Sequence, residues 1–95
     1  MLRILTWNIL CDKLAYNSFD RVPDQYIHWE YREPLIISFL LSSQADVICL
    51  QEVDKFDELM KHLHQLYEGH IVMKEDGVMG CALIWKRGTI LSVKV

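Results

Sequence analysis

Residues 45–53 read Ala45-Asp46-Val47-Ile48-Cys49-Leu50-Gln51-Glu52-Val53. From Val47 to Val53 this stretch is apolar on both faces, which predicts a strand covered by helices from both sides or placed centrally between two sheets. Near the exit of this strand stands Glu52, a carboxylate that is costly to bury unless a cation meets it. Glu52 is therefore our first candidate metal ligand, because Mg²⁺ and other hard cations bind carboxylate oxygens.

A second apolar stretch, Leu2–Leu10, lies upstream and predicts an earlier strand that ends near Asn8. After it, Cys11–Gln25 has no periodicity and predicts a loop of more than a dozen residues. Loops of this length more often have a function than serve only as connections. Since Asn8 and Glu52 both stand near predicted strand exits, we interpret them as a half-site for magnesium. Two simpler interpretations stay open, because Asn8 could cap the following backbone and Glu52 could face water.

Helices are predicted on either side of the central strand. The first runs from about Tyr26 to Ser42, and Pro34 either kinks it or lies in the first turn of a restarted helix. The second runs from Lys55 to Leu66, with Asp54 as a plausible N-cap. The apolar stripes expected to face the core are Trp29, Leu35, Ile36, Phe39 and Leu40 in the first helix, and Phe56, Leu59, Met60, Leu63 and Leu66 in the second.

The C-terminal third of the chain predicts three short strands, at His70–Lys74, Cys81–Lys86 and Thr89–Val95. The last two are joined by the turn Arg87-Gly88, in which Gly88 can take a positive φ. The order strand, helix, strand, helix and then strands is typical of a layered α/β fold, of which this is the opening half. Its sheet would end in unpaired edges, so we expect self-association or further sequence that covers them.

Composition limits the possible partners. The 95 residues carry a formal net charge of -3, which argues against strong, sequence-blind binding to nucleic acid phosphates. Three widely spaced cysteines, Cys11, Cys49 and Cys81, predict reduced thiols, mostly in the core, in a cytoplasmic or nuclear protein. No apolar run approaches the roughly 20 residues that span a bilayer, and no secretory signal begins the chain, so we expect an intracellular protein without a membrane partner.

Other polar residues are interpreted as structural. Strand alternation should send Gln51 to the face opposite Glu52. His62 and His64 stand two apart on a predicted helix and should point to nearly opposite sides, which argues against a joint metal site. Trp29 is interpreted as a core residue, and Arg32 as a surface ion-pair partner. The basic residues Lys74, Lys86 and Arg87 make only a weak patch.

Four motifs together resemble the exonuclease-endonuclease-phosphatase superfamily, and within it the nocturnin-like and Angel-like deadenylase branch. They are Thr-Trp-Asn-Ile-Leu at 6–10, the segment from Trp29 to Arg32, Ala-Asp-Val-Ile-Cys-Leu-Gln-Glu-Val-Asp at 45–54 and Gly-Cys-Ala at 80–82. Neither Leu-Gln-Glu-Val-Asp nor Trp-Asn-Ile-Leu is specific alone. Their combination, about forty residues apart, makes the resemblance specific.

The resemblance implies a two-sheet α/β sandwich, the four-layer nuclease fold, with helices covering a mixed sheet and Mg²⁺ bound at the strand ends. It implies that Glu52 is a catalytic metal ligand and that Asn8 is catalytic beside the metal and the phosphate. The family also uses a histidine, an Asp-X-Asn element and a terminal Asp-His pair from its second half, none of which we find here. We therefore expect residues 1–95 to be a partial domain without the C-terminal half, inactive alone.

For the complete domain, the resemblance implies magnesium-dependent phosphodiester hydrolysis. The expected activity is that of a 3'-to-5' exoribonuclease, which shortens adenosine-rich RNA tails. Two alternatives stay open. One is a nucleotide phosphatase of the same superfamily, and the other is a non-catalytic truncated fragment that acts only as a binding module.

Overall fold

The computed structural model of the chain describes residues 1–11 and 28–89. Within them the order of elements is strand, helix, strand, helix, strand, strand, which confirms the predicted α/β class. The elements are β1 (Ile4–Asn8), α1 (Trp29–Ser43), β2 (Val47–Val53), α2 (Phe56–Leu63), β3 (Tyr67–Met73) and β4 (Gly80–Lys86). Most of the predicted loop Cys11–Gln25, and all but the first residue of the predicted strand Thr89–Val95, lie outside the described residues. In the turn after β4, Gly88 has the expected positive φ, +80°.

The strands form a mixed sheet in the order β1-β2-β4-β3. β1 and β2 are parallel, with Ile4 opposite Val47 and Asn8 opposite Gln51. β4 runs antiparallel to both β2 and β3. Parallel neighbours need a crossover connection, and α1 lies in this one. The carboxyl ends of β1 and β2 consequently meet at one edge of the sheet, and this edge carries Asn8 and Glu52.

One face of the sheet carries the hydrophobic core. Its buried strand residues pack in a single cluster with residues of both helices, and burying each large aliphatic side chain contributes about 1.5–3 kcal/mol. The cluster includes Ile48, Leu50, Val53, Ala82 and Ile84 of the strands, Ile36, Ile37 and Leu40 of α1, and Leu59 and Leu63 of α2.

The opposite face, which we call the open face, is not covered by either helix. It consists of Ile4, Thr6, Asn8, Val47, Cys49, Gln51, Glu68, His70, Val72, Cys81, Leu83 and Trp85. Ile4 is 66% exposed and Val72 is 58% exposed. Within the described residues, β2 is therefore covered on one face only, although its sequence predicts cover on both.

Helix α1 differs from the predicted helix in its first residue and in its buried face, and it continues through Pro34 without a restart. His28 is the N-cap, so the helix begins at Trp29, later than expected. Pro34 lies in the helix interior, which excludes a restart at this proline. Leu35 is 58% exposed and Phe39 50% exposed, although both were predicted to face the core. The helix is apolar around much of its circumference, so its periodicity could not identify the buried side.

Helix α2 is shorter than predicted and strand β3 begins earlier. Lys55, and not the predicted Asp54, occupies the N-cap position of α2. β3 begins at Tyr67 and continues through Gly69, where a Cβ atom would lie 3.1 Å from Cζ of Phe56. The glycine thus allows α2 to pack closely on β3. Among the described residues, no helix is long and apolar enough to cross a membrane.

The cysteines occupy three different environments. Cys11 is buried, Cys49 is half-buried and Cys81 is exposed, so the expectation of mostly core thiols holds only in part. In the Gly-Cys-Ala motif the glycine and the alanine are buried and the cysteine is exposed, and a Cβ atom on Gly80 would lie 2.8 Å from Cα of Met73. The close approach of β3 and β4 therefore requires Gly80 and leaves the thiol of Cys81 on the open face.

Candidate functional site

The first half of the candidate site is the turn that follows β1. Asn8 is the last residue of β1, and Leu10 takes a left-handed conformation with φ +58°. The backbone N–H of Leu10 donates to Oδ1 of Asn8 at 3.0 Å. This is the local turn in which an asparagine side chain bonds to the backbone two residues ahead. Asn8 therefore does cap the following backbone, as the simpler interpretation proposed, and the bond fixes its side chain.

The second half of the site is a bulge at the end of β2. The pairing of β2 with β4 shifts register between Leu50 and Val53, and Glu52 inside this segment has φ +57°. A left-handed residue interrupts the alternation of side chains along a strand. Gln51 keeps the regular alternation and donates from Nε2 to Oγ1 of Thr6 at 3.0 Å on the open face. Glu52 departs from the alternation, because its carboxylate accepts from Asn8 on that same face. The prediction that alternation separates Gln51 from Glu52 is therefore wrong.

The structure brings Asn8 and Glu52 into direct contact. Nδ2 of Asn8 donates a hydrogen bond to Oε2 of Glu52 across 44 residues of sequence. The orientation of the amide follows from its other bond, because the N–H of Leu10 needs the oxygen and so leaves the nitrogen for Glu52. Asn8 thus fixes the carboxylate through one oxygen, and the second oxygen, Oε1, is the atom that a cation would bind.

The donor chemistry of this pair fits Mg²⁺, although the pair is only part of a site. Magnesium is bound through one or two carboxylates and keeps several waters or binds substrate phosphate oxygens. In residues 1–11 and 28–89, no three His, Cys, Asp or Glu side chains form a group that could hold a metal ion. Glu52 alone would be the carboxylate that this part of the chain contributes.

Arg32 is half-buried and bonds to backbone oxygens, so its interpretation as a surface ion-pair partner is wrong. Its Nη2 atom donates to the backbone oxygens of both Ile9 and Leu10, in the turn that orients Asn8. Cζ of Arg32 lies 5.9 Å from the centroid of the Trp29 ring, within cation–π distance. The three-residue spacing of Trp29 and Arg32 could have indicated this stacking. Nothing in the sequence indicates the contact with the turn after β1.

The remaining candidates lie apart from the site. His62 and His64 are both exposed, and Nε2 of His62 lies 3.3 Å from Oε1 of Glu33. Arg87 pairs with Glu68 at 2.7 Å at the other end of the sheet. Lys86 is opposite Tyr67 at that same end, whereas Lys74 follows β3 near the end that carries Glu52. The three basic residues therefore do not form one patch.

A sequence profile of the endonuclease/exonuclease/phosphatase family matches residues 5–93. The chain belongs to this family. Membership agrees with the resemblance that the motifs carry and with the mixed α/β sheet described above. The residues that the profile matches include both Asn8 and Glu52.

Individual relatives in this family are similar over much of the chain. Nocturnin of Drosophila melanogaster is 40% identical over 99 residues, covering 90% of this chain and 15% of that protein. The CCR4-Not complex 3'-5'-exoribonuclease subunit Ccr4 of Aspergillus terreus is 45% identical over 53 residues, or 55% of this chain and 8% of that protein.

Among solved structures, the crystal structure of ANGEL2, a 2',3'-cyclic phosphatase, matches with a TM-score of 0.82. The sequences are 26% identical, and the match covers 90% of this chain and 27% of that chain. The chain thus spans less than a third of the length of each of these three relatives.

Proposed function

We propose that the complete protein containing these residues hydrolyses phosphodiesters with Mg²⁺ and that Glu52 is one ligand of that ion. The observation that carries the proposal is the bond from Asn8 to Oε2 of Glu52 at the shared carboxyl end of two parallel strands. Family membership and the likeness to nocturnin, Ccr4 and ANGEL2 support it. The 95-residue chain would be inactive alone, because the described residues contribute a single carboxylate to the site.

Each residue of the pair has a separate task in this proposal. Glu52 would hold the cation at the strand ends through its negative charge and its second oxygen, Oε1. Asn8 donates to the other oxygen and so prevents the carboxylate from rotating away from the site. When bound, Mg²⁺ supplies charge neutralisation at the scissile phosphate. Asn8 also lies on the open face, where its amide could approach a phosphate oxygen.

The substrate we propose is RNA with an adenosine-rich 3' end, shortened in the 3'-to-5' direction. Ccr4 is named as a 3'-5'-exoribonuclease, which supports this choice. All three cysteines are free, as suits a protein of the cytoplasm or nucleus, where such RNA is found. The net charge of -3 favours a substrate held by a metal ion rather than by a basic surface.

A second candidate is a phosphatase that acts on a nucleotide or on a 2',3'-cyclic phosphate end. The likeness to ANGEL2, which is named as a 2',3'-cyclic phosphatase, favours it. A third is a non-catalytic fragment that serves as a binding module. The pair of Asn8 and Glu52 would serve either enzyme, because both reactions need a cation at a phosphate ester.

The test compares three substrates side by side in the complete protein, with Mg²⁺ and with EDTA. The substrates are oligoadenylate RNA, RNA ending in a 2',3'-cyclic phosphate and a phosphorylated dinucleotide. Release of nucleotides from oligoadenylate only with Mg²⁺ supports the exoribonuclease, and selective cleavage of another substrate supports the phosphatase. Absence of magnesium-dependent hydrolysis on all three would contradict both enzymes.

The role of Glu52 is tested by Glu52→Gln, which keeps the shape of the side chain and removes its charge. We expect a loss of at least about 100-fold in kcat, equivalent to about 3 kcal/mol of the stabilisation that a metal supplies. Glu68→Gln, at the opposite end of the sheet, is the matched control and should keep its activity. Equal magnesium affinity of Glu52→Gln and wild type in calorimetry would remove Glu52 from the metal site.

A further inference from the structure

Arg32 connects the first helix to the turn that orients Asn8. The side chain starts on α1, and its Nη2 atom donates to two successive backbone oxygens, those of Ile9 and Leu10. These are the two residues directly after Asn8. A guanidinium group can bond to both oxygens at once because its donors have a fixed planar geometry.

The turn that Arg32 contacts is strained and needs support from elsewhere. Leu10 has φ +58°, a conformation that costs a residue other than glycine roughly 1–2 kcal/mol. In this conformation the N–H of Leu10 reaches Oδ1 of Asn8. If the turn relaxed, Asn8 would lose the bond that directs its nitrogen towards Glu52. The two bonds from Arg32 hold the backbone at this position.

The guanidinium is itself held in place from the other side. It lies over the Trp29 ring, and Nε1 of Trp29 donates to Oε2 of Glu33 at 2.8 Å. Nη1 of Arg32 is buried and has no hydrogen-bond partner within the described residues.

From these contacts we propose that Arg32 is a positioning residue, which holds the turn after β1 so that Asn8 fixes the Glu52 carboxylate. The expected effect of Arg32 on catalysis rests on the proposed function. The expected effect of Arg32 on the position of the Asn8 side chain does not. Arg32 acts through the backbone of Ile9 and Leu10 and does not touch the carboxylate in this arrangement.

The test uses Arg32→Met and Arg32→Lys in the complete protein. Arg32→Met keeps an unbranched apolar stem and removes both bonds, whereas Arg32→Lys keeps the charge and a single donor group. Arg87→Met is the matched control, because Arg87 also donates to a backbone oxygen, that of His64 at 2.8 Å, at the far end of the sheet. All three variants are compared with wild type by thermal unfolding.

The first readout is the NMR signal pair of the Asn8 side-chain amide, assigned by its loss in Asn8→Asp. We expect these signals to move in metal-free Arg32→Met, to move less in Arg32→Lys and to stay in place in Arg87→Met. The second readout is magnesium affinity and kcat. Removal of a residue that orients a metal ligand typically costs 10–100-fold, so we expect about a 10-fold loss or more in Arg32→Met and partial rescue in Arg32→Lys.

The two proposals can fail separately. Unchanged Asn8 amide signals in Arg32→Met would overturn the positioning role, whatever the activity. Equal losses of magnesium affinity in Arg32→Met and Arg87→Met would also overturn it, because they would indicate a general effect on stability. If wild type shows no magnesium-dependent hydrolysis, the proposed function fails and the metal-free NMR comparison alone decides the role of Arg32. If Arg32→Met does not fold, the same comparison on Arg32→Lys decides it.

Discussion

At the scale of single residues, the decisive feature is the backbone conformation of Glu52. Its position near a strand exit was predictable from the apolar run before it. Its positive φ was not, because nothing in the side chain favours that conformation. The bulge turns Glu52 towards Asn8, so the same strain that costs stability brings the carboxylate to its partner. Strain at this position is therefore consistent with a functional role.

This strain predicts different stabilities for two truncations that both remove the carboxylate. Glu52→Gly allows the left-handed conformation without a Cβ atom, whereas Glu52→Ala keeps the strain. We expect the glycine variant to be more stable than the alanine variant by about 1 kcal/mol, and both to lack magnesium-dependent activity. Urea unfolding of the complete protein measures the difference. An alanine variant as stable as the glycine variant would contradict the positive φ at this residue.

At the scale of helices and strands, the sequence predicted which elements form better than it predicted their ends and buried sides. β2 was predicted with its observed bounds because its apolar run is continuous. β3 was predicted too short because Gly69 weakens a strand pattern, yet Gly69 is the position that admits Phe56 of α2. The buried side of α1 depends on where the sheet lies. Because α1 is apolar around much of its circumference, its sequence alone does not show which side is buried.

One contact between elements predicts a dependence of stability on pH. The Tyr67 hydroxyl, at the start of β3, donates to the backbone oxygen of Ala45 at 2.8 Å. Burial raises the pKa of Tyr67, and the nearby carboxylate of Asp46 raises it further. The unfolded chain releases this proton near pH 10, and the folded chain does so only at higher pH. The stabilisation is thus complete below about pH 10 and is lost as the pH rises through the raised pKa.

We therefore expect the free energy of unfolding to fall more steeply above about pH 10 in wild type than in Tyr67→Phe. At neutral pH, Tyr67→Phe should lose about 1–3 kcal/mol, because the oxygen of Ala45 is left without its donor. Urea unfolding between about pH 8 and pH 11 measures both effects. If the free energy of unfolding changes equally with pH in the two proteins, folding does not raise the pKa of Tyr67 and the prediction is wrong.

At the scale of the whole molecule, both helices contribute to one core cluster and neither covers the open face. Ile4 and Val72 are well exposed there, and β1 and β3 form the edges of the sheet in the described residues. Exposed apolar patches and free strand edges favour association. In the complete domain we propose that a second sheet packs against this face, as the two-sheet sandwich of the resemblance implies.

For the isolated 95-residue chain, we predict self-association through the open face. Replacing Ile4 and Val72 together by lysine should shift the chain towards monomer in analytical ultracentrifugation. The net charge of -3 moves closer to zero in this variant, which by itself would favour association, so charge does not explain the expected result. The control replaces two exposed polar residues, Gln65 and Thr89, by lysine. Equal association of the two double variants would exclude the open face as the interface.

Local sequence patterns were enough to predict the class of fold, the order of the elements and the placement of Asn8 and Glu52 near strand ends. These follow from local patterns of apolar residues and from motifs that the family profile also matches. Only the tertiary structure decided the bulge at Glu52, the orientation of the Asn8 amide and the contact of Arg32 with the turn after β1. The bonds from Asn8 to Glu52 and from Arg32 to Leu10 join residues more than twenty positions apart along the chain, and a local pattern carries no information about such contacts.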